Sequence, residues 1–173
     1  NHLLGAGFTS NNGIPHAEFN AIKSSKTNLK NSHLYVTLEP CSHYGKTPPC
    51  VNLIVKNRIK KVFFSLFDPD IRSYKKSKNI FKKNSIHVKS GILLKNARSF
   101  YKSYIKSKNN NLPFLTCKIA ASKDFYTINK KKKWITNIYS RYRVHLMRSE
   151  HDCLITSSET ILKDNPILIE FIL

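Results

Sequence analysis

Apolar residues fall in short runs along this chain, and polar stretches of roughly helical length separate them. Leu3-Leu4-Gly5-Ala6-Gly7-Phe8 reads as the end of a strand entering a Gly- and Asn-rich turn, Thr9 to Gly13. Pro15 then precedes a helical stretch from His16 to about Lys23. Leu34-Tyr35-Val36-Thr37-Leu38 is the next expected strand, and a cysteine-bearing loop leaves its carboxyl end. Pro48 and Pro49 suit the first turn of a second helix, where a missing N–H costs nothing, and Val51, Leu53, Ile54 and Val55 continue it. Val62-Phe63-Phe64-Ser65-Leu66-Phe67 has the continuous apolar character of a buried strand, closed by Asp68-Pro69-Asp70. Strands alternating with helices in this way predict an α/β sheet with parallel pairs.

Beyond Asp70 the pattern weakens. A short helix is expected around Ile80-Phe81, a strand over Ile86 to Val88, and one helix from about Lys95 to Lys106. Asn109-Asn110-Asn111 with Pro113 has the composition of a linker, dividing the chain into 1–111 and 112–173. After it, Phe114 to Ala120 and Cys153-Leu154-Ile155-Thr156 read as strands. Ile138 to Arg148 reads as a helix capped by Asn137, and Ser158 to Leu162 opens a helical turn. Roughly sixty residues after the linker are too few for a typical α/β domain, so the expectation is a chain that stops mid-domain.

Charge adds one question to this picture. Thirty Lys and Arg stand against ten Asp and Glu, a formal charge of +20. Charge of that size invites phosphate contacts. The lysines are dispersed, however, apart from Lys130 to Lys133, and no base-stacking module with interleaved aromatics accompanies them. Biased composition, with Lys, Asn, Ile, Phe and Tyr recurring throughout, accounts for the charge more simply. No apolar run approaches membrane-spanning length, and the chain opens on Asn1 without a basic-then-apolar leader, so a cytoplasmic protein is expected. Four cysteines in such a chain indicate metal or structural thiols before disulfides; Cys117 and Cys153, in apolar runs, are expected to be buried core thiols.

The chemistry concentrates in two stretches. His16-Ala17-Glu18 opens a helix, and Glu39-Pro40-Cys41 leads into a loop ending at Cys50, eight residues intervening between the cysteines. One imidazole and two thiols leave a tetrahedral position open for water, which is what a catalytic zinc site requires and a structural one lacks. A nearby carboxylate that does not coordinate serves as proton shuttle. His16 and Glu18 diverge by about 200° on an ideal helical wheel, so both reach one cavity only from the first turn. The positive end of its helix is expected to favour thiolate at Cys50.

These residues, together with "PHAEFNAI" and "LYVTLEPCSHYGKTPPC", resemble the bifunctional riboflavin-biosynthesis deaminase/reductase family. The long loop between the cysteines distinguishes it from nucleic-acid and cytidine deaminases, whose second Cys usually follows after two residues. "PFLTCKIAASKD", "WIT", "VHLMRSEHD" and "SSETILKDNP" extend the resemblance over nearly the whole chain. It implies a cytidine-deaminase-like three-layer α/β domain, followed by the start of a dihydrofolate-reductase-like α/β domain. It also implies zinc-dependent deamination of a small phosphorylated pyrimidine, the diaminopyrimidinone ribosylamino 5′-phosphate, then NADPH-dependent reduction of the ribosyl chain, in a homo-oligomer. By the same resemblance His16, Cys41 and Cys50 hold zinc, Glu18 is the proton donor, and His43 and Lys46 contact substrate. Ala120, Trp134, Thr160 and Asp164 match NADPH-linked positions, and Arg148 and Leu168 match substrate positions.

Several positions depart from the family pattern. Thr9 stands where the family has a His, Phe125 where a turn glycine is expected, Lys132 where a serine is expected, and Ile169-Glu170-Phe171 replaces Thr-Val-Arg. The family's first helix and strand are not found before Asn1, nor most of its reductase after Leu173. Two other readings compete: a tRNA or DNA base deaminase, favoured by the charge, and a catalytically inactive fragment.

Overall fold

The computed structural model describes residues 2–127 and 134–168. The lysine run Lys130–Lys133, with Lys132, and the segment Ile169-Glu170-Phe171 lie outside the described residues. The chain forms two compact units, Asn1–Leu115 and Thr116–Leu173.

The first unit is built on three parallel strands, β1 (His33–Leu38), β2 (Lys61–Leu66) and β3 (His87–Ser90), in the order β1-β2-β3. Leu34 pairs with Val62 and Val62 with Val88; Val36 pairs with Phe64 and Phe64 with Ser90. Parallel neighbours need a crossover, and helices supply it. The helix α1 (Ala17–Ser24) precedes β1, α2 (Cys50–Lys56) links β1 to β2, and α3 (Lys76–Lys83) links β2 to β3. The alternation of side chains along a strand then sorts the faces. Val62 and Phe64 project from one face of β2 into a buried cluster with Val51 and Ile54 of α2, Phe81 of α3, Ile59 and Ile86. Leu34 and Val36 of β1 pack against this cluster.

The opposite face carries His33, Tyr35 and Phe63. The Tyr35 and Phe63 rings stack at 4.6 Å, and His33 meets Phe63 edge-on at 5.9 Å. On this face the Thr37 hydroxyl bonds the Tyr101 hydroxyl at 2.7 Å, at the junction of α4 (Leu94–Phe100) and α5 (Lys102–Asn110). With α2 and α3 on one side and this junction on the other, the unit has the expected three-layer α/β arrangement.

Some elements differ from their sequence expectation. The stretch Leu3–Phe8 makes no ladder; it lies along α1 instead. Ala6 N–H donates to the Ser24 hydroxyl, which donates back to the Ala6 carbonyl, while the Asn20 amide donates to the Phe8 carbonyl at 2.7 Å. The approach is close enough that a Cβ on Gly5 or Gly7 would sit 2.4 Å from the Ala21 backbone, which is why both positions are glycine. The helix expected from Lys95 to Lys106 breaks at Tyr101 into α4 and α5, and Asn109 and Asn110 complete α5 rather than forming a linker. Asn111, with φ 52°, ends it in the left-handed conformation that asparagine tolerates.

The second unit contains α6 (Ile138–Ser149) and α7 (Ser158–Asp164). Asn137 caps α6, its side chain accepting from Ser140 N–H at 2.8 Å, and Ser157 caps α7. Neither Phe114–Ala120 nor Cys153–Thr156 is a strand, because neither finds a partner among the described residues. Cys117 and Cys153 are consequently exposed, not buried as their apolar neighbours suggest. No described residue of this unit is buried. Among the described residues, no helix is long and apolar enough to cross a membrane.

Phe81 joins α3 to the sheet and has no solvent exposure, whereas Phe100 is 77 % exposed. Phe81→Ala is expected to destabilise the first unit by about 3–5 kcal/mol and Phe100→Ala by well under about 1 kcal/mol, measured by urea unfolding. Limited trypsin digestion is expected to cut within α6 before it cuts between β1 and β3, since opening is easiest where nothing is buried.

Candidate metal centre

Three chain segments meet at the carboxyl end of β1, the end at which α/β sheets generally gather their ligands. His16 is the extended N-cap of α1 (φ −70°, ψ 160°), so it stands outside the helix. The wheel angle to Glu18 therefore does not separate them, and Glu18 turns inward from the first helical turn and is buried. Cys41 follows Glu39-Pro40 at the end of β1, and Cys50 is the first residue of α2, with Pro49 as N-cap. Both cysteines are buried.

The side chains converge closely. His16 Nδ1 lies 3.4 Å from Cys41 Sγ and 3.4 Å from Cys50 Sγ. All three atoms fall within 4.8 Å of one another, forming a group able to hold a metal ion. A tetrahedral zinc with sulfur at about 2.3 Å and nitrogen at about 2.0–2.1 Å would hold neighbouring N and S donors about 3.6 Å apart. The donors present therefore fit zinc with little adjustment. Cys50 N–H donates to Cys41 Sγ at 3.2 Å, and the Cys41 carbonyl accepts from Val51 N–H, so α2 holds both the thiol and its backbone.

Charge is divided unevenly between these groups. A hydrogen bond from the Cys50 thiol, helped by His16 and by the Cys50 N–H, draws the Cys41 thiol far below its usual value. Cys50, as donor to that thiolate and buried beside Glu18, is pushed up. The backbone N–H at the start of α2 points at Cys41 Sγ, not at the Cys50 sulfur that the helix end was expected to favour as thiolate. A bound dication would remove the asymmetry, since both sulfurs ligate as thiolates. His16 is raised by its hydrogen bond to Cys41. Burial raises Glu18 above the ordinary carboxylate value.

His16, Glu18 and Cys41 line a cavity of about 1130 Å³, bordered also by Thr9, Asp68 and Tyr104. Asp68 is buried and accepts the Tyr104 hydroxyl at 2.9 Å, and both burial and that bond raise the phenol. Asp70, paired with Arg72 at 2.6 Å and Lys108 at 3.1 Å, is held well below the usual carboxylate range, chiefly by Arg72. Asp68, Tyr104 and the buried Glu39 are not among the sequence-expected site residues. The signals available were local: acids flanking Pro69, and a Glu two residues before Cys41.

The remaining candidates are placed as follows. His43 is half-buried, with Nδ1 2.9 Å from the Ser73 hydroxyl, and Lys46 is exposed on the same loop. In the second unit Thr160 N–H donates to Ser157 Oγ, making Thr160 part of the α7 cap, and Asp164 follows one turn later on the same face. Arg148 donates to the Ile167 carbonyl at 3.2 Å, which brings it next to Leu168. Trp134 lies under the Arg141 guanidinium at 4.7 Å, and Ala120 is half-buried in the irregular stretch after Phe114.

Comparison with known proteins agrees with this arrangement. Residues 5–66 match the cytidine and deoxycytidylate deaminase zinc-binding region, and residues 113–170 match the RibD C-terminal domain. The riboflavin biosynthesis protein RibD of Buchnera aphidicola subsp. Baizongia pistaciae is 38% identical over 170 residues, 97% of this chain and 46% of that protein. RibD of Bacillus amyloliquefaciens is also 38% identical, over 96% of this chain and 45% of its own length. A solved diaminohydroxyphosphoribosylaminopyrimidine deaminase/5-amino-6-(5-phosphoribosylamino)uracil reductase from Thermotoga maritima superposes with a TM-score of 0.88. It shares 35% identity, covering 94% of this chain and 48% of that one. Acinetobacter baumannii RibD gives 0.87 at 34% identity, over 96% of this chain and 48% of its own. The chain spans about half the length of the relatives it matches, and across that span, which joins a zinc-binding deaminase region to a RibD C-terminal segment, it belongs to the RibD family of riboflavin biosynthesis proteins.

Proposed function

We propose that the first unit is a zinc-dependent hydrolytic deaminase acting on 2,5-diamino-6-(5-phosphoribosylamino)pyrimidin-4-one. Residues 112–173 on this reading begin a reductase that uses NADPH on the ribosyl chain of the product. The carrying observation is the meeting of His16 Nδ1, Cys41 Sγ and Cys50 Sγ at the wall of the cavity that Glu18 also lines. Three ligands and a free carboxylate make a site for activating water, as distinct from a closed structural site.

Zinc in this position supplies a Lewis acid that brings the pKa of water toward ~7. His16, Cys41 and Cys50 hold it, and the Cys50 N–H at Cys41 Sγ orients the sulfur and spreads its charge. Glu18 takes a proton as water adds to the amino-bearing carbon of the ring, and gives it to the departing nitrogen. Ammonia leaves and the ring carbon keeps oxygen as a carbonyl. Burial suits Glu18 to both halves of that transfer. His43 and Lys46 are the proposed substrate contacts, the lysine toward phosphate.

In the reductase segment, Ala120, Trp134, Thr160 and Asp164 are the proposed NADPH contacts, with Arg148 and Leu168 toward substrate. A cytoplasmic setting accords with four cysteines of which none is paired in a disulfide. A homo-oligomer is part of the same proposal.

Two measurements test the deaminase reading. Glu18→Gln is expected to lower ammonia release from the pyrimidine by about 10²–10⁴-fold while zinc content stays at that of the unaltered chain. Equal rates in the two proteins would contradict the assigned role. Chelation of zinc is expected to abolish turnover and lower the unfolding temperature of the first unit, since binding stabilises only the folded chain, and added zinc is expected to restore both.

A further inference from the structure

A buried acid that the mechanism does not use organises the loop facing the metal site. Glu39 is 2 % exposed and sits two residues before Cys41. No cation reaches it among the described residues. Its carboxylate instead accepts four hydrogen bonds from a single stretch of chain. Asp68 N–H and Lys75 N–H donate to Oε2 at 3.3 and 3.0 Å, and Ser77 N–H and hydroxyl donate to Oε1 at 3.2 and 2.6 Å. Such a carboxylate gains charge-assisted bonds that compensate its burial. To donate, Lys75 adopts φ 58°, ψ 7°, a left-handed backbone uncommon for a residue with a side chain. Residues 68–77 are thereby fastened to the end of β1.

Ser73, fully buried, lies in the middle of the fastened stretch. Its hydroxyl oxygen accepts Ser42 N–H at 3.4 Å and lies 2.9 Å from His43 Nδ1. With the oxygen accepting from Ser42, the hydroxyl proton is free to go to Nδ1. With Nδ1 engaged by that hydroxyl, the free ring nitrogen is Nε2, which has no hydrogen-bond partner among the described residues. The loop is one polar partner short elsewhere too: Ser42 Oγ is buried with no partner among the described residues.

The geometry points to Ser73 as a positioning residue for substrate binding, held in place by Glu39, that fixes the ring and tautomer of His43 so that an N–H donor is presented to the bound pyrimidine phosphate. The inference rests on the proposed function for its substrate, but the state of the His43 ring does not depend on it.

The test uses the whole chain loaded with zinc. In long-range ¹⁵N–¹H spectra of histidine-labelled protein, His43 is expected as the Nε2–H tautomer. Ser73→Ala is expected to turn that signal into a mixture and raise KM for deamination about five-fold, the scale of one hydrogen bond, with kcat and zinc content nearly unchanged. Ser73→Thr, which keeps the hydroxyl, is expected to restore both the tautomer and KM, and thermal unfolding of each variant controls for folding. An unchanged His43 signal in Ser73→Ala overturns the inference, as does a changed signal with KM unaltered, or loss of zinc in either variant. Absence of deamination by the unaltered chain would overturn the function proposed above; the His43 spectra would then decide the positioning role by themselves.

Discussion

Three donor atoms, from residues 16, 41 and 50, meet within 4.8 Å, and the arrangement of the first unit follows from that constraint. A local turn cannot bring them together. The meeting requires α1 to begin beside the end of β1 and α2 to begin against the same loop. The parallel crossover β1–α2–β2 supplies the second condition, because the chain must leave the carboxyl end of one strand and return to the amino end of the next. Packing of Val51 and Ile54 against Val62 and Phe64 then fixes where α2 starts, and with it Cys50. The hydrophobic core is in this sense the outer support of the metal centre. A shift of α2 along the sheet would leave the sulfurs beyond the reach of one ion.

The second layer of control is polar. Glu39 and Cys41 leave β1 within two residues of each other, the one to gather the 68–77 stretch, the other to face the metal. Asp68, Ser73 and Tyr104 thus reach the neighbourhood of the site from chain distant in sequence, and Lys108 and Tyr104 tie α5 to the same acids. Hydrogen bonds to one buried carboxylate are directional where apolar packing is not. They therefore set positions at the end of β1.

Much of this was readable in the sequence where the cause is local. The order H-x-E, strand, Glu-Pro-Cys, second Cys names the donors by type and spacing, and the apolar run 62–67 and the prolines before Cys50 locate β2 and α2 to within a residue or two. Legibility fails where the deciding partner is remote. Leu3–Phe8, Phe114–Ala120 and Cys153–Thr156 are apolar enough for strands, but a strand exists only as half of a pair, and these find none among the described residues. The same absence leaves Cys117 and Cys153 exposed. Asn109 and Asn110 look like linker by composition, yet α5 continues through them, since propensity yields readily to context. Glu39 and Ser77, 38 residues apart, could not have been paired by any periodicity.

The central claim is that His16, Cys41 and Cys50 together hold one zinc ion and leave a coordination position for water. Zinc-edge X-ray absorption of the loaded chain tests it most directly. The account predicts two sulfur scatterers at about 2.3 Å and two lighter ones at about 2.0–2.1 Å, one of them imidazole, with one zinc per chain. Four sulfur or nitrogen donors from protein, or a sulfur shell that survives replacement of both Cys41 and Cys50 by serine, would contradict it.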